Sequence, residues 1–238
     1  MSVDILAIGV HPDDVELSCS GTLLKHIALG KTAGILDLTL GELGTRGSAE
    51  IRTQEAMASA KILGVSFREQ LTMADGFFEN NESHIKQIIT VLRKHQPSIV
   101  LCNAVSDRHP DHGRAAKLIA DACFYSGLSK IETSINGNQQ QAWRPKAVYH
   151  YIQDQYIHPD FVIDVSEVAD TKRKAIMAFS SQFFDPRSSE PQTPISSPEF
   201  LESLFAKMSI WGRAIEVKYA EGFTVNRYPG VNNLFDLR

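Results

Sequence analysis

The chain has 238 residues, 43% hydrophobic and 22% charged, the proportions of a soluble globular protein and enough for one large domain spanning 1–238. A net charge of −4 and a pI near 6.1 exclude the basic footprint of a general nucleic-acid binder and favour a local site for a small molecule. No run reaches the ~18 apolar residues of a membrane span, and residues 1–10 are too short for a signal h-region and carry Asp4.

In chain order, 3–10 (VDILAIGV) reads as a buried strand ending in a polar motif. Leu17, Leu23, Leu24 and Ile27 give 15–29 the apolar face of a helix, which Gly30 ends. A second strand is expected at 33–40, then a glycine-rich loop at 41–47. Ser48 is placed to cap a helix running to Leu63 and Gly64. A short strand at 67–73 leads to Asp75-Gly76. Ser83 opens a helix to about His95, broken by Pro97. The strand 98–102 (SIVLC) precedes a helix over 113–125, and the polar stretch 129–144 reads as a loop. Strands follow at 147–152 and 161–165, then a helix over 166–183. The proline- and serine-rich stretch 185–198 reads as a mobile loop, placed to lie over a site. An amphipathic helix over 198–213 and a strand over 217–225 complete the chain.

Strands alternating with helices imply a single-domain, Rossmann-like α/β fold: a doubly wound, mainly parallel sheet with helices on both faces. Ligands in such sheets collect at the carboxyl ends of the strands, near the switch point. Gly9-Val10-His11 does not open a GxGxxG run, and no GxxxxGK[ST] run is present, so the familiar nucleotide signatures are missing. Cys19, Cys102 and Cys123 are odd in number and far apart, and read as buried, reduced thiols of a cytoplasmic protein.

Two clusters stand at strand ends: His11-Pro12-Asp13-Asp14 and His109-Pro110-Asp111-His112. Taken singly, each has a plain explanation as a helix N-terminus, with Asp at the cap and Pro in the turn. Taken together they gather imidazole and carboxylate donors suited to zinc and other borderline divalent ions. His11 and Asp14, three apart where a strand turns into a helix, face one point. His112 reaches it from the second strand, giving three ligands and an open position, the pattern of a catalytic ion. Asp13, His109 and Asp111 remain for general-base work, for stabilising a developing oxyanion, and for fixing a histidine tautomer. Such a set serves hydrolysis of an amide or ester. A two-metal phosphoesterase drawing on Asp107, His109, Asp111 and His112 and a non-catalytic sugar-binding module are the rival readings. The remaining histidines (His26, His84, His95, His150 and His158) lack ligand spacing and read as surface or satisfied polar groups.

Val10-His11-Pro12-Asp13-Asp14-Val15-Glu16 and Arg108-His109-Pro110-Asp111-His112 resemble the two motifs of the LmbE-like, or PIG-L-like, N-acetylglucosamine deacetylases. The run from Gly41 to Gly47, with Glu50-Ile51-Arg52 and Glu55-Ala56 and the late Tyr219-Ala220-Glu221-Gly222-Phe223, is similar to the bacillithiol biosynthesis branch. The resemblance implies one Zn²⁺ per chain, or Fe²⁺, on His11, Asp14 and His112. It implies Asp13 as general base and His109 as oxyanion stabiliser with Asp111 its partner. Arg52, with Glu42, Asp75 and Arg108, is implied to bind the sugar substrate. The implied reaction is removal of the acetyl group from an N-acetylglucosaminyl conjugate, N-acetylglucosaminyl-malate first, with other N-acetylglucosamine derivatives or a bacillithiol S-conjugate as alternatives. The implied assembly is a homo-oligomer, a hexamer. Relatives carry a mobile tyrosine before the last helix; here Thr193-Pro194-Ile195 leads to Phe200, which has no hydroxyl.

Overall fold

In a computed structural model, which describes residues 2–186 and 188–237, the chain lays down β1 (Ile5–Gly9) and turns through the first cluster into α1 (Asp14–Ser18) and α2 (Ser20–Ala28). There follow β2 (Ala33–Asp37), α3 (Ala49–Leu63), β3 (Phe67–Gln70), α4 (Glu82–His95) and β4 (Ile99–Cys102). The second cluster opens α5 (Pro110–Tyr125). A small hairpin, β5 (Ser134–Ile135) and β6 (Asn138–Gln139), precedes β7 (Ala147–Tyr151), β8 (Phe161–Asp164), α6 (Ala169–Met177), α7 (Pro198–Ala214) and β9 (Ala220–Thr224).

One sheet of order β3-β2-β1-β4-β7-β9-β8 carries the fold. β3, β2, β1, β4 and β7 are parallel; β9 runs antiparallel to both β7 and β8. Every residue of β1 and β2 is buried, which is why they are apolar runs with helices on both sides. Leu6, Ile8 and Val10 pack with Val100 and Cys102 against Ile88, Leu92, Leu118 and Ile119 of α4 and α5. The alternate residues Ile5 and Ala7 pack with Ile35 and Leu101 against Val15, Leu23 and Leu63 of α1–α3. The chain winds outward from β1 through β2 to β3, then returns to place β4 on β1's other side, with Ile8 opposite Cys102. The switch point therefore lies between β1 and β4, and both polar clusters leave the sheet there.

The helix expected over 15–29 is two helices with a break at Cys19. Buried groups take up the backbone polar atoms freed by the break. Glu221 of β9 accepts from the Gly21 and Thr22 N–H groups and the Thr22 hydroxyl at 2.7–2.9 Å. Lys172 of α6 donates to the Glu16 and Leu17 carbonyls and lies 2.8 Å from the Glu221 carboxylate. The helix expected from 113 starts at Pro110, because the His109 ring accepts from the Asp111 N–H and proline needs no donor at that position. Asn81, not Ser83, caps α4 by accepting from His84 N. The 166–183 helix reaches only Met177, and the final strand covers 220–224. The stretch read as loop at 129–144 contains the small hairpin, turned by Asn136 and Gly137 at φ 51° and 78°. All three cysteines are free and buried. Among the described residues no helix is long and apolar enough to cross a membrane.

Lys172 and Glu221 are both shielded from solvent, so losing one strands the other's charge. Lys172→Met is expected to cost about 3–5 kcal/mol of folding stability, read as a lower urea midpoint at unchanged slope. A wild-type midpoint would mean the pair is not what joins α2, α6 and β9.

Candidate active site

The turn after β1 separates two adjacent aspartates. Asp13 holds a backbone of φ 131° and ψ −21°, a region L residues rarely enter. Gly9 makes the fold-back feasible: a Cβ there would lie 2.9 Å from that of Asp14. Asp14 turns back under the sheet. Its Oδ2 accepts from the Val10 and His11 N–H groups and from Asn103 Nδ2, each at 2.9 Å. Its Oδ1 faces Gln153 Nε2 at 3.0 Å and His112 Nε2 at 3.2 Å. Burial disfavours its charge, but His112, His11 and these donors hold the carboxyl well below the usual range. Asp13 turns the other way, into the cavity, with Arg52 Nη2 at 3.3 Å from its Oδ2. Burial raises its pKa against the opposing pull of Arg52.

The histidines converge. Ring centroids of His11 and His109 are 4.8 Å apart, and those of His109 and His112 are 5.1 Å apart. One nitrogen from each of the three lies within 4.8 Å of the others. His112 Nδ1 sits 2.5 Å from Asp107 Oδ2, leaving Nε2 for the site. His11 Nε2 sits 2.9 Å from Asp75 Oδ1 and 3.5 Å from Asp111 Oδ2. Burial works against a charged ring in both, yet Asp111, Asp75 and Asp14 lift His11 to about 10, and Asp14 and Asp107 lift His112 to about 9. The carboxylates thus demand positive charge at this point. A divalent ion meets the same demand, so the donor set fits one.

Several expected residues have other partners. The expected pairing of Asp111 with His109 is not made. The Asp111 carboxylate turns to Gly76 N, His11 and Arg114 instead. His109 is oriented by the backbone, its Nδ1 accepting from Asp111 N at 3.3 Å, so a neutral ring carries its proton on Nε2. Burial and the neighbouring histidines lower its pKa. Asp75 lines the cavity but also fastens His11 and accepts from Leu43 N. Glu42 is exposed and binds Asp75 N rather than lining the cavity. Arg52 is buried and donates to the Pro12 and Gly41 carbonyls. Gly41, at φ 65°, permits this: a Cβ there would meet the guanidinium at 2.0 Å. Arg108 lines the cavity and is paired with Asp154 at 2.6 Å.

Asn103, Gln153 and Lys207 belong to the site with no reading from the sequence behind them, and Asp107 enters from the sequence only through the phosphoesterase alternative. The signal for Asp107 is a carboxylate five residues before His112. Gln153 has none: it follows β7, remote in sequence, yet its Oε1 accepts from Asn103 Nδ2 and Ala104 N while its Nε2 reaches Asp14 and His112. Of the remaining histidines, His95 and His150 are buried; His95 stacks on Phe67, and His150 Nδ1 meets the Asn103 carbonyl.

The cavity holds about 420 Å³. The clusters form one wall. Leu17, Ile195, Phe200, Leu204 and Lys207 form another, from α1, α7 and the segment before α7. That segment is pinned to the 41–47 loop, Glu190 accepting from Gly47 N and Ser188 from Arg46. No tyrosine is among the described lining residues. Phe200 lines the wall and stacks on Phe183.

Asp107→Asn removes the carboxylate behind His112, and zinc affinity measured by equilibrium dialysis is expected to fall about 10–100-fold. Unchanged affinity would mean that Asp107 does not support metal binding at His112.

The profile of the PIG-L family, GlcNAc-PI de-N-acetylase, matches residues 6–123. The chain is 30% identical to diacetylchitobiose deacetylase of Thermococcus kodakarensis, over 95% of this chain and 84% of that protein. It is 26% identical to 4-oxalmesaconate hydratase of Pseudomonas putida, over 74% and 73% of the two chains. It is 25% identical to a probable N-acetyl-α-D-glucosaminyl L-malate deacetylase of Bacillus anthracis, over 75% and 81%. The crystal structure of the conserved protein TT1542 from Thermus thermophilus superposes with a TM-score of 0.85 at 32% identity, covering 98% of both chains.

Proposed function

The chain belongs to the PIG-L, or LmbE-like, family and is an N-deacetylase of GlcNAc-type substrates; on that basis we propose that it releases acetate from N-acetylglucosaminyl-malate. The observation carrying the reading is the division of labour across Asp13-Asp14: one carboxylate sunk among backbone donors and imidazoles, the other open to the cavity. Held by His11, Asp14 and His112, a divalent ion, zinc first, would polarise the acetyl carbonyl and lower the pKa of a water.

The chain's own groups do the rest. Asp13 takes the proton of the attacking water, with Arg52 fixing its carboxylate in place. His109, its Nδ1 occupied by a backbone N–H, turns an Nε2–H donor toward the oxygen that gains charge as the carbonyl is attacked. As the C–N bond breaks, the proton on Asp13 passes to the leaving nitrogen. The products are acetate and the free amino sugar. Asp111, Asp75 and Asp107 keep His11 and His112 in position.

Acetate release from N-acetylglucosaminyl-malate, with metal analysis of the same sample, tests the reading. One ion per chain and release of acetate are expected. Two ions with phosphoester cleavage, or hydration of an unsaturated oxo acid without acetate, would overturn it. Asp13→Ala is expected to keep its metal while kcat falls about 10²–10⁴-fold. His112→Ala is expected to lose the metal altogether, and full occupancy would strike it from the ligands.

A further inference from the structure

Among the described residues the lysine and arginine side chains lining the cavity are Arg52, Arg108 and Lys207. Two are committed. Arg52 is held by Asp13 and two carbonyls, and Arg108 by Asp154. Lys207 differs. Its Nζ donates to the Gln153 carbonyl, and no described carboxylate lies within 4.0 Å of it. The acids whose charge acts on it are otherwise engaged: Asp154 by Arg108, and Asp107 by His112 and by Gln155 N at 2.6 Å. An ammonium has three donor hydrogens, so two remain for a ligand.

Its placement favours an anion on the part of the substrate away from the acetyl group. With the N-acetyl end at His109 and Asp13, as the proposed reaction requires, the α7 wall is one of the surfaces left for the aglycone. That wall is apolar, Leu17, Phe200 and Leu204 among its members, with the Lys207 ammonium as its uncommitted charge. The ammonium sits over the Trp211 ring, 5.7 Å from its centroid, which limits its wandering. Burial pushes the pKa down to about 8 against Asp154 and Asp107, so a bound carboxylate would relieve an underpaired charge.

We propose that Lys207 is a specificity-determining residue that pairs with a carboxylate on the aglycone of the substrate. The assignment rests on the deacetylase reading above. It gives the anion-binding task to Lys207 rather than to Arg52 or Arg108.

The test uses the metal-loaded enzyme, with N-acetylglucosaminyl-malate and the uncharged methyl N-acetylglucosaminide as substrates. Wild type is expected to prefer the malate conjugate. Lys207→Gln, which keeps a donor for the Gln153 carbonyl, is expected to raise KM for the conjugate about tenfold or more, as loss of a hydrogen bond between charged groups does. The effect on kcat and on the uncharged substrate is expected to be much smaller, so the preference collapses. Lys207→Arg is expected to restore most of it. A preference that survives Lys207→Gln, an equal loss on both substrates, or no recovery in Lys207→Arg would overturn the assignment while leaving the deacetylase reading in place. Release of acetate from neither substrate by the wild type would overturn both.

Discussion

The carboxylate of Asp14 holds the site together. One oxygen gathers the amides of Val10 and His11 from the end of β1 and the side chain of Asn103 from the end of β4. Parallel strands in a doubly wound sheet diverge at their carboxyl ends, where the chain leaves in opposite directions. Asp14 spans that gap from below and presents its second oxygen to His112 and Gln153. A buried carboxylate without such partners would take up a proton, and its charge here is sustained by donors on two strands and a helix. The same group thus closes the fold's switch point and sets the potential at the centre of the site.

Around it the protein builds positive charge against negative at short range. Asp75, Asp107 and Asp111 lie behind His11 and His112, each on a different loop or helix start. The imidazoles are therefore oriented from outside before any ligand arrives, which is the preorganisation that hydrolytic sites need. Farther back, Arg68 bridges Glu16 and Asp37 at 2.6 and 2.7 Å, tying α1 to β2 and β3 beneath the same turn. Lys172 and Glu221 do the equivalent for α2, α6 and β9. The scaffold under the site is thus pinned by fully buried, paired charges as well as by apolar packing.

The sheet and the meeting of the two clusters were legible because they follow from short-range rules. Short apolar runs such as 5–9 and 33–37, alternating with helical patterns, read as strands covered on both faces, and polar motifs at the carboxyl ends of parallel strands share one edge. Two kinds of feature were not legible. The split at Cys19 depends on Glu221 and Lys172, about 200 and 150 residues away in sequence, and no local signal announces a partner so distant. Gln153 and Lys207 likewise reach the site through tertiary packing, on a loop and a helix whose residues look unexceptional in sequence. Roles within the clusters were blurred for a different reason. Asp111 stands beside His109 in sequence, but the first turn of α5 sends its side chain toward His11 and Arg114. Adjacency along a chain does not survive a helix start.

The backbone of Asp13 carries one more implication. A residue with a Cβ held at φ 131° stores on the order of 1–3 kcal/mol that a glycine would release. Folding alone would therefore favour glycine at this position, and an aspartate persists there against that gradient. The turn is a place where the best-folded protein and the working protein are different molecules. The difference between them is one carboxylate facing the cavity, held there at the expense of conformational ease.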